Sequence, residues 1–142
     1  MDNFYDTAIR MQKSSEILHN NGEFHNACYL AGYVVECYAK IIVGLTYGFV
    51  ENELAKEFSH DLKKLSKELQ YIMNDSQYSG YIIEMRVNFS SILLGNSKWN
   101  PIKRYISSSE CWGQVDSNNF QGEIQFAMTI LTQMRINGVI LI

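Results

Sequence analysis

Proline is nearly absent: Pro101 is the only one in 142 residues, so long stretches lack the residue that breaks a helix by removing an amide donor. Cysteine is scarce too, and its odd count of three, without CxxC spacing, excludes a disulfide framework or a cysteine-rich zinc site. Cys28 and Cys37 would stand about 180° apart on one helix and cannot pair. With Cys111 they read as small buried hydrophobes in a reducing compartment. Charge of one sign is never concentrated; 12 Lys and Arg against 15 Asp and Glu leave a net charge of -3. Sequence-independent phosphate binding rests on clustered cations that displace counterions, so a nucleic acid would need a local site that the overall balance does not reveal. The N-terminus, Met1-Asp2-Asn3-Phe4, lacks the basic, apolar and small-residue succession of a secretory signal. The longest apolar run, within Tyr29 to Val43, is interrupted by Glu36 and Lys40 and is expected to fall short of a membrane span. The expectation is a cytoplasmic protein that does not enter the membrane.

Recognisable catalytic motifs are also missing. The chain has no GxSxG elbow, no GxxxxGK[ST] or GxGxxG phosphate loop and no HExxH. His19 and His25 would lie about 120° apart on a common helix, with no paired carboxylates to complete a metal site. No metal and no cofactor are expected.

What is present is helical periodicity. Phe4, Ala8, Met11, Ser15 and Leu18 stripe a first helix. A second, from about Gly22 to Tyr47, is apolar on most of its circumference and should be the central element, ending near Gly44 or Gly48. Leu62, Leu65, Leu69 and Ile72 mark a third, capped by Ser59 or Asp61. Tyr78, Tyr81, Met85, Phe89 and Ile92 predict a fourth, and Phe120, Ile124, Ala127, Leu131 and Met134 a fifth. Gly138 and the β-branched tail Val139 to Ile142 follow. A polar segment from about 95 to 119 joins the last two helices; it is long enough to be functional, holds a short helix around Ile102 to Ser107, and carries two tryptophans that should pack it down. The fold class is all-α, a single domain over 1–142 built as an up-and-down bundle of about five helices.

One stripe of the second helix stands out. His25, Tyr29, Lys40 and Tyr47 all fall within about 40° of Glu36. Glu36 and Lys40, four apart, are oriented to pair, either as an internal pair that sets helix register or as the lining of a ligand or partner groove. His60, just before the third helix, has a choice between hydrogen bonding to Glu36 and acid-base work near neutral pH. Arg104, beside Trp99 and Tyr105, suits packing against an acid such as Glu36 or gripping an anion.

These residues carry a resemblance. The run from His25 to Lys40, with Glu36 and Lys40 spaced E-x-x-x-K, then His60-Asp61-Leu62 and Leu65 in an H-D-L-x-x-L pattern, is similar to many small prokaryotic HEPN (higher eukaryotes and prokaryotes nucleotide-binding) proteins. Trp99-Asn100-Pro101-Ile102-Lys103-Arg104-Tyr105 resembles the W-x-P-x-x-R-Y stretch of several branches. The resemblance implies a helical bundle that commonly forms a homodimer, and points to Glu36, Lys40, His60, Trp99, Arg104 and Tyr105; with Tyr29 these are the expected groove residues. Catalytic members carry an Arg followed by four to six residues and a His near the last helix. Here no histidine follows Arg86 or Arg104, and Arg10 precedes His19 by too many positions. The expectation is therefore a non-catalytic accessory module, partnered with a protein such as a nucleotidyltransferase in a toxin-antitoxin or phage-defence system. The alternatives are a metal-independent RNase, with His60 and either Arg104 or Lys40 meeting across a dimer, and a nucleotide or small-ligand pocket on the Glu36 and Lys40 stripe.

Overall fold

The helical stripes of the sequence wrap around one central element. A computed structural model describes residues 3–94, 98–105 and 111–140; the side chains of Glu51, Arg104 and Tyr105 lie outside that description. The described residues are all-α: α1 (Phe4–Asn20), α2 (Phe24–Tyr47), α3 (Glu51–Phe58), α4 (Leu62–Ile72), α5 (Met85–Asn88), α6 (Ser90–Leu93) and α7 (Gln114–Ile136), with 3-10 helices at Ser79–Tyr81 and Pro101–Tyr105.

As expected, α2 is the hub, packed against α1, α4 and α7. Val34, Val35, Tyr38, Ala39, Ile42 and Val43 are fully buried, and together they span about half of its circumference. At 24 residues α2 is, contrary to the expectation, long and apolar enough to cross a membrane by length and composition, but 72% of the relevant window is buried within the bundle. It is the core helix of that bundle. Gly48 ends it at φ 73, a left-handed conformation that costs glycine little.

The capping residues follow their ordinary chemistry. Asn3 Oδ1 accepts from the Tyr5 and Asp6 amides at 2.8 and 3.3 Å. Of the two expected caps on α4, Asp61 takes the role, accepting from the Lys64 amide at 3.0 Å.

Three departures from the expected elements have identifiable causes. First, α3 was not anticipated between Gly48 and Ser59. Leu54 and Phe58, one helical turn apart, are 3% and 4% exposed, and the Val50 amide donates to Glu53 Oε1 at 3.2 Å. Two apolar positions in eight residues are too few for a periodicity to register.

Second, the expected fourth helix is broken into the 3-10 helix Ser79–Tyr81, α5 and α6. Side chains from neighbouring helices take over its backbone hydrogen bonds. The buried Tyr38 hydroxyl donates to the Tyr81 carbonyl at 2.6 Å and accepts from the Ile83 amide at 3.2 Å. Glu123 of α7 accepts from the Ser91 and Ile92 amides at 2.9 and 3.0 Å. With those groups satisfied from outside, a continuous helix loses its advantage.

Third, α7 starts at Gln114, ahead of its apolar stripe. The Gly113 amide donates to Asp116 Oδ2 at 3.0 Å, and the buried Ser117 meets His19 Nδ1 at 2.7 Å. The segment expected as loop from 95 to 119 is correspondingly shorter. Its short helix is the 3-10 turn Pro101–Tyr105; residues 106 and 107, like 141 and 142 of the tail, lie outside the described residues. Both tryptophans pack down, Trp99 at 6% and Trp112 at 2% exposure.

Tyr38→Phe should leave the Tyr81 carbonyl and the Ile83 amide without a partner. Urea unfolding should show a loss of about 1–3 kcal/mol, and amide exchange should accelerate at Ile83 ahead of the helices that surround α2.

Candidate functional site

The polar stripe on α2 does not line one groove. Its residues go to separate stations along the helix. His25 Nε2 lies 3.1 Å from the Lys103 carbonyl, and its Nδ1 accepts from the Trp112 amide at 3.1 Å. These two bonds together require the neutral tautomer with hydrogen on Nε2. The ring also stacks on Trp112 with centroids 5.0 Å apart, and Lys103 Nζ stands 4.7 Å from the Trp112 centroid. His25 is therefore a clasp for the segment before α7. Tyr47, at the other end of the stripe, donates to Glu68 of α4, and that negative neighbour pushes its hydroxyl up to about 12.

Between these ends sits the charged pair. Glu36 and Lys40 are 4% and 3% exposed, with Lys40 Nζ 3.4 Å from Glu36 Oε2. The other carboxylate oxygen, Oε1, meets His60 Nδ1 at 2.8 Å. Lys40 also stands over the Phe4 ring, 5.6 Å from its centroid. Of the two readings open from the sequence, the internal pair is the one realised. Lys40 also borders a second cavity of about 420 Å³, together with Phe4, Ile41 and Leu45. Glu36 does not line that cavity.

His60 is different. Its side chain is 52% exposed, and Nδ1 is held by Glu36 while the rest of the ring lies at a cleft. Tyr33 presents its ring edge-on to His60 and Trp99, at 5.4 and 5.0 Å, and its hydroxyl meets that of Tyr29 at 2.9 Å. The Trp99 indole donates to the Tyr29 carbonyl at 2.9 Å, and its ring lies directly on Gly32, where a Cβ would come within 2.0 Å of Cε2. Glycine at that point lets the indole touch the helix backbone. Tyr29, Trp99 and His60 thus form one aromatic cluster, although Tyr29 does not reach the cleft.

The cleft has a volume of about 730 Å³, within the size range of ligand pockets. His60 and Trp99 are the expected groove residues that line it. Arg104 and Tyr105, the remaining two, are placed by backbone in the Pro101–Tyr105 turn, with side chains outside the description. The sequence reading missed four cations at the same cleft: Lys63 and Lys67 of α4, Arg86 of α5, and Lys98. Asp61, already capping α4, is the one carboxylate lining it among the described residues. Lys63, Lys67, Arg86 and Lys98 are exposed, and none forms an ion pair among the described residues. A signal was available in part, since Lys63, Lys67 and Gln70 fall on one face of α4. Arg86 and Lys98 join them only through the fold.

The turn that carries His60 is strained. Ser59 has φ 47 and ψ -125, and the Asp61 amide donates to the Phe58 carbonyl at 3.0 Å, a tight turn whose second position favours glycine. No group of three or more His, Cys, Asp or Glu capable of holding a metal occurs among the described residues. Burial pushes the Cys28 thiol up to about 12, which keeps it protonated and unreactive.

The buried pair generates an asymmetric prediction. Glu36→Gln leaves Lys40 charged in the interior and should cost about 3–5 kcal/mol in urea unfolding. Lys40→Met should cost less, because His60 still answers Glu36, and the double variant E36Q/K40M should recover most of the loss. Equal costs for the two single variants would contradict this arrangement.

No protein-family model, curated protein or solved structure matches the chain.

Proposed function

We propose that this protein is a non-catalytic, HEPN-like accessory module that docks a negatively charged partner in the cleft beside His60. The supporting observation is the gathering of Lys63, Lys67, Arg86 and Lys98, none of them ion-paired among the described residues, around one concavity. The chain as a whole carries a net charge of -3. A cleft in which one sign of charge predominates focuses its field and attracts the opposite charge. It is the local site that the overall charge balance conceals. From the resemblance, a nucleotidyltransferase or another component of a toxin-antitoxin or phage-defence system is the partner to look for first.

A second reading has one observation in its favour. Glu36 holds His60 through Nδ1, the orientation in which a carboxylate steers a histidine so that Nε2 can exchange a proton with a bound group. With nearby cations to stabilise a phosphorane, the cleft has the parts of a metal-independent RNase. That reading requires RNA cleavage in EDTA that disappears in His60→Ala; intact RNA at high protein concentration would end it.

Heparin serves as a polyanion probe of the first reading. Binding should weaken steeply as salt rises, with a log-log slope of about -3 for four cations. It should be lost in K63E/K67E and retained in K13E, whose substitution lies away from the cleft. Salt-independent binding, or equal loss in both variants, would show that the cleft is not the anion site.

A further inference from the structure

The cleft is not only cationic. Ile92 and Leu62 form part of its buried floor, Leu93 and Pro101 are half-buried on its walls, and Leu94 and Ile102 stand at its lips, 37% and 68% exposed. Trp99 is the one Phe, Tyr or Trp among the described lining residues, and it is unavailable to a ligand: it is 6% exposed, its ring covers Gly32, and its N–H is given to Tyr29.

This combination discriminates between anions. Single-stranded nucleic acid is held by cations that follow the backbone together with exposed aromatic rings on which bases stack. The cations are here, whereas no Phe, Tyr or Trp among the described lining residues offers an exposed face, and His60 is the one exposed ring among them. Aliphatic lips instead match aliphatic side chains, which gain by leaving water. Lys63 and Lys67 stand four residues apart on one face of α4, continued by the neutral Gln70, which places two positive charges where they can meet carboxylates spaced along a peptide.

Resting on the reading of the cleft as an anion site, we infer that its occupant is an acidic segment of a partner protein, with Asp or Glu side chains set among Leu, Ile or Val. The segment lays its aliphatic residues against Leu94 and Ile102 and its carboxylates against Lys63, Lys67, Arg86 and Lys98, as an amphipathic helix lies in a groove. The buried floor and Trp99 shape the cleft and are not themselves the recognition groups.

The full chain is titrated against a short fluorescein-labelled peptide with leucines on one helical face and glutamates beside them, read by fluorescence anisotropy. A peptide of the same length with the leucines replaced by serine, a labelled oligouridine and heparin are titrated in parallel. The Leu and Glu peptide should bind at least about tenfold more tightly than the serine peptide and than oligouridine. Ile102→Ser should weaken its binding about tenfold. K63E/K67E should do so at least as much. All three side chains are exposed, so the variants should fold as the parent does, as circular dichroism would verify. Oligouridine binding more tightly than the peptide would overturn the protein-segment occupant and leave an anion site for nucleic acid. Equal affinity for the serine and leucine peptides would overturn the aliphatic contribution and with it the inference. If no probe binds, heparin included, the inference and the anion-site reading fall together.

Discussion

A carboxylate and an ammonium buried near the middle of the central helix must each be answered inside the protein, and that requirement organises the rest of the site. Glu36 offers its two oxygens in two directions, one to Lys40 on its own helix and the other to His60. Removing both charges from water costs several kcal/mol per ion before their attraction repays any of it, so the second contact matters. His60 can supply it only if the start of α4 is brought against α2. The short α3 and the strained turn at Ser59 make that return possible. Lys63 and Lys67 follow on the same helix, so the placement of the cationic edge descends from the need to satisfy Glu36.

The same economy of hydrogen bonds shapes the opposite wall. Tyr38 and Glu123 take over the backbone groups of 81–83 and 91–92, and the segment bends where a helix would have continued. The bend places Arg86 and Leu93 on the wall of the cleft. Trp99, anchored on Gly32 and on the Tyr29 carbonyl, brings the following residues against the third side. The cleft is bounded by elements whose positions are set by buried groups, while its cations stay in solvent. Binding there would spend little on reorganising the scaffold.

Charge illustrates why composition was a poor guide to this surface. The formal charge of -3 argues against a polyanion partner on average. Averages do not describe a cleft where, among the described residues, four cations meet one carboxylate, and screening confines the influence of exposed acids to roughly 8–10 Å at physiological salt. The four basic residues come from α4, α5 and the stretch before Trp99, so the patch has no counterpart in any single window of the chain.

The sequence by itself determined the all-helical class, the stripes of α1, α2, α4 and α7, and the spacing that lets Glu36 and Lys40 meet on one helix. All are written in spacings of three and four residues, and such signals are carried by neighbours along one helix. It also brought His60 toward Glu36, because a short connection leaves few places for the start of α4. The tertiary structure decided what depends on groups far apart in the chain. It broke the stripe from Tyr78 to Ile92 with hydrogen bonds from Tyr38 and Glu123, and it extended α7 backward through Ser117 and His19. It turned Lys40 from a groove residue into a buried partner, and it assembled Lys63, Lys67, Arg86 and Lys98 around one cleft. The physical reason is common to all of them: a backbone amide or a buried charge accepts any partner of suitable geometry, and local sequence does not say which distant side chain will arrive to provide it.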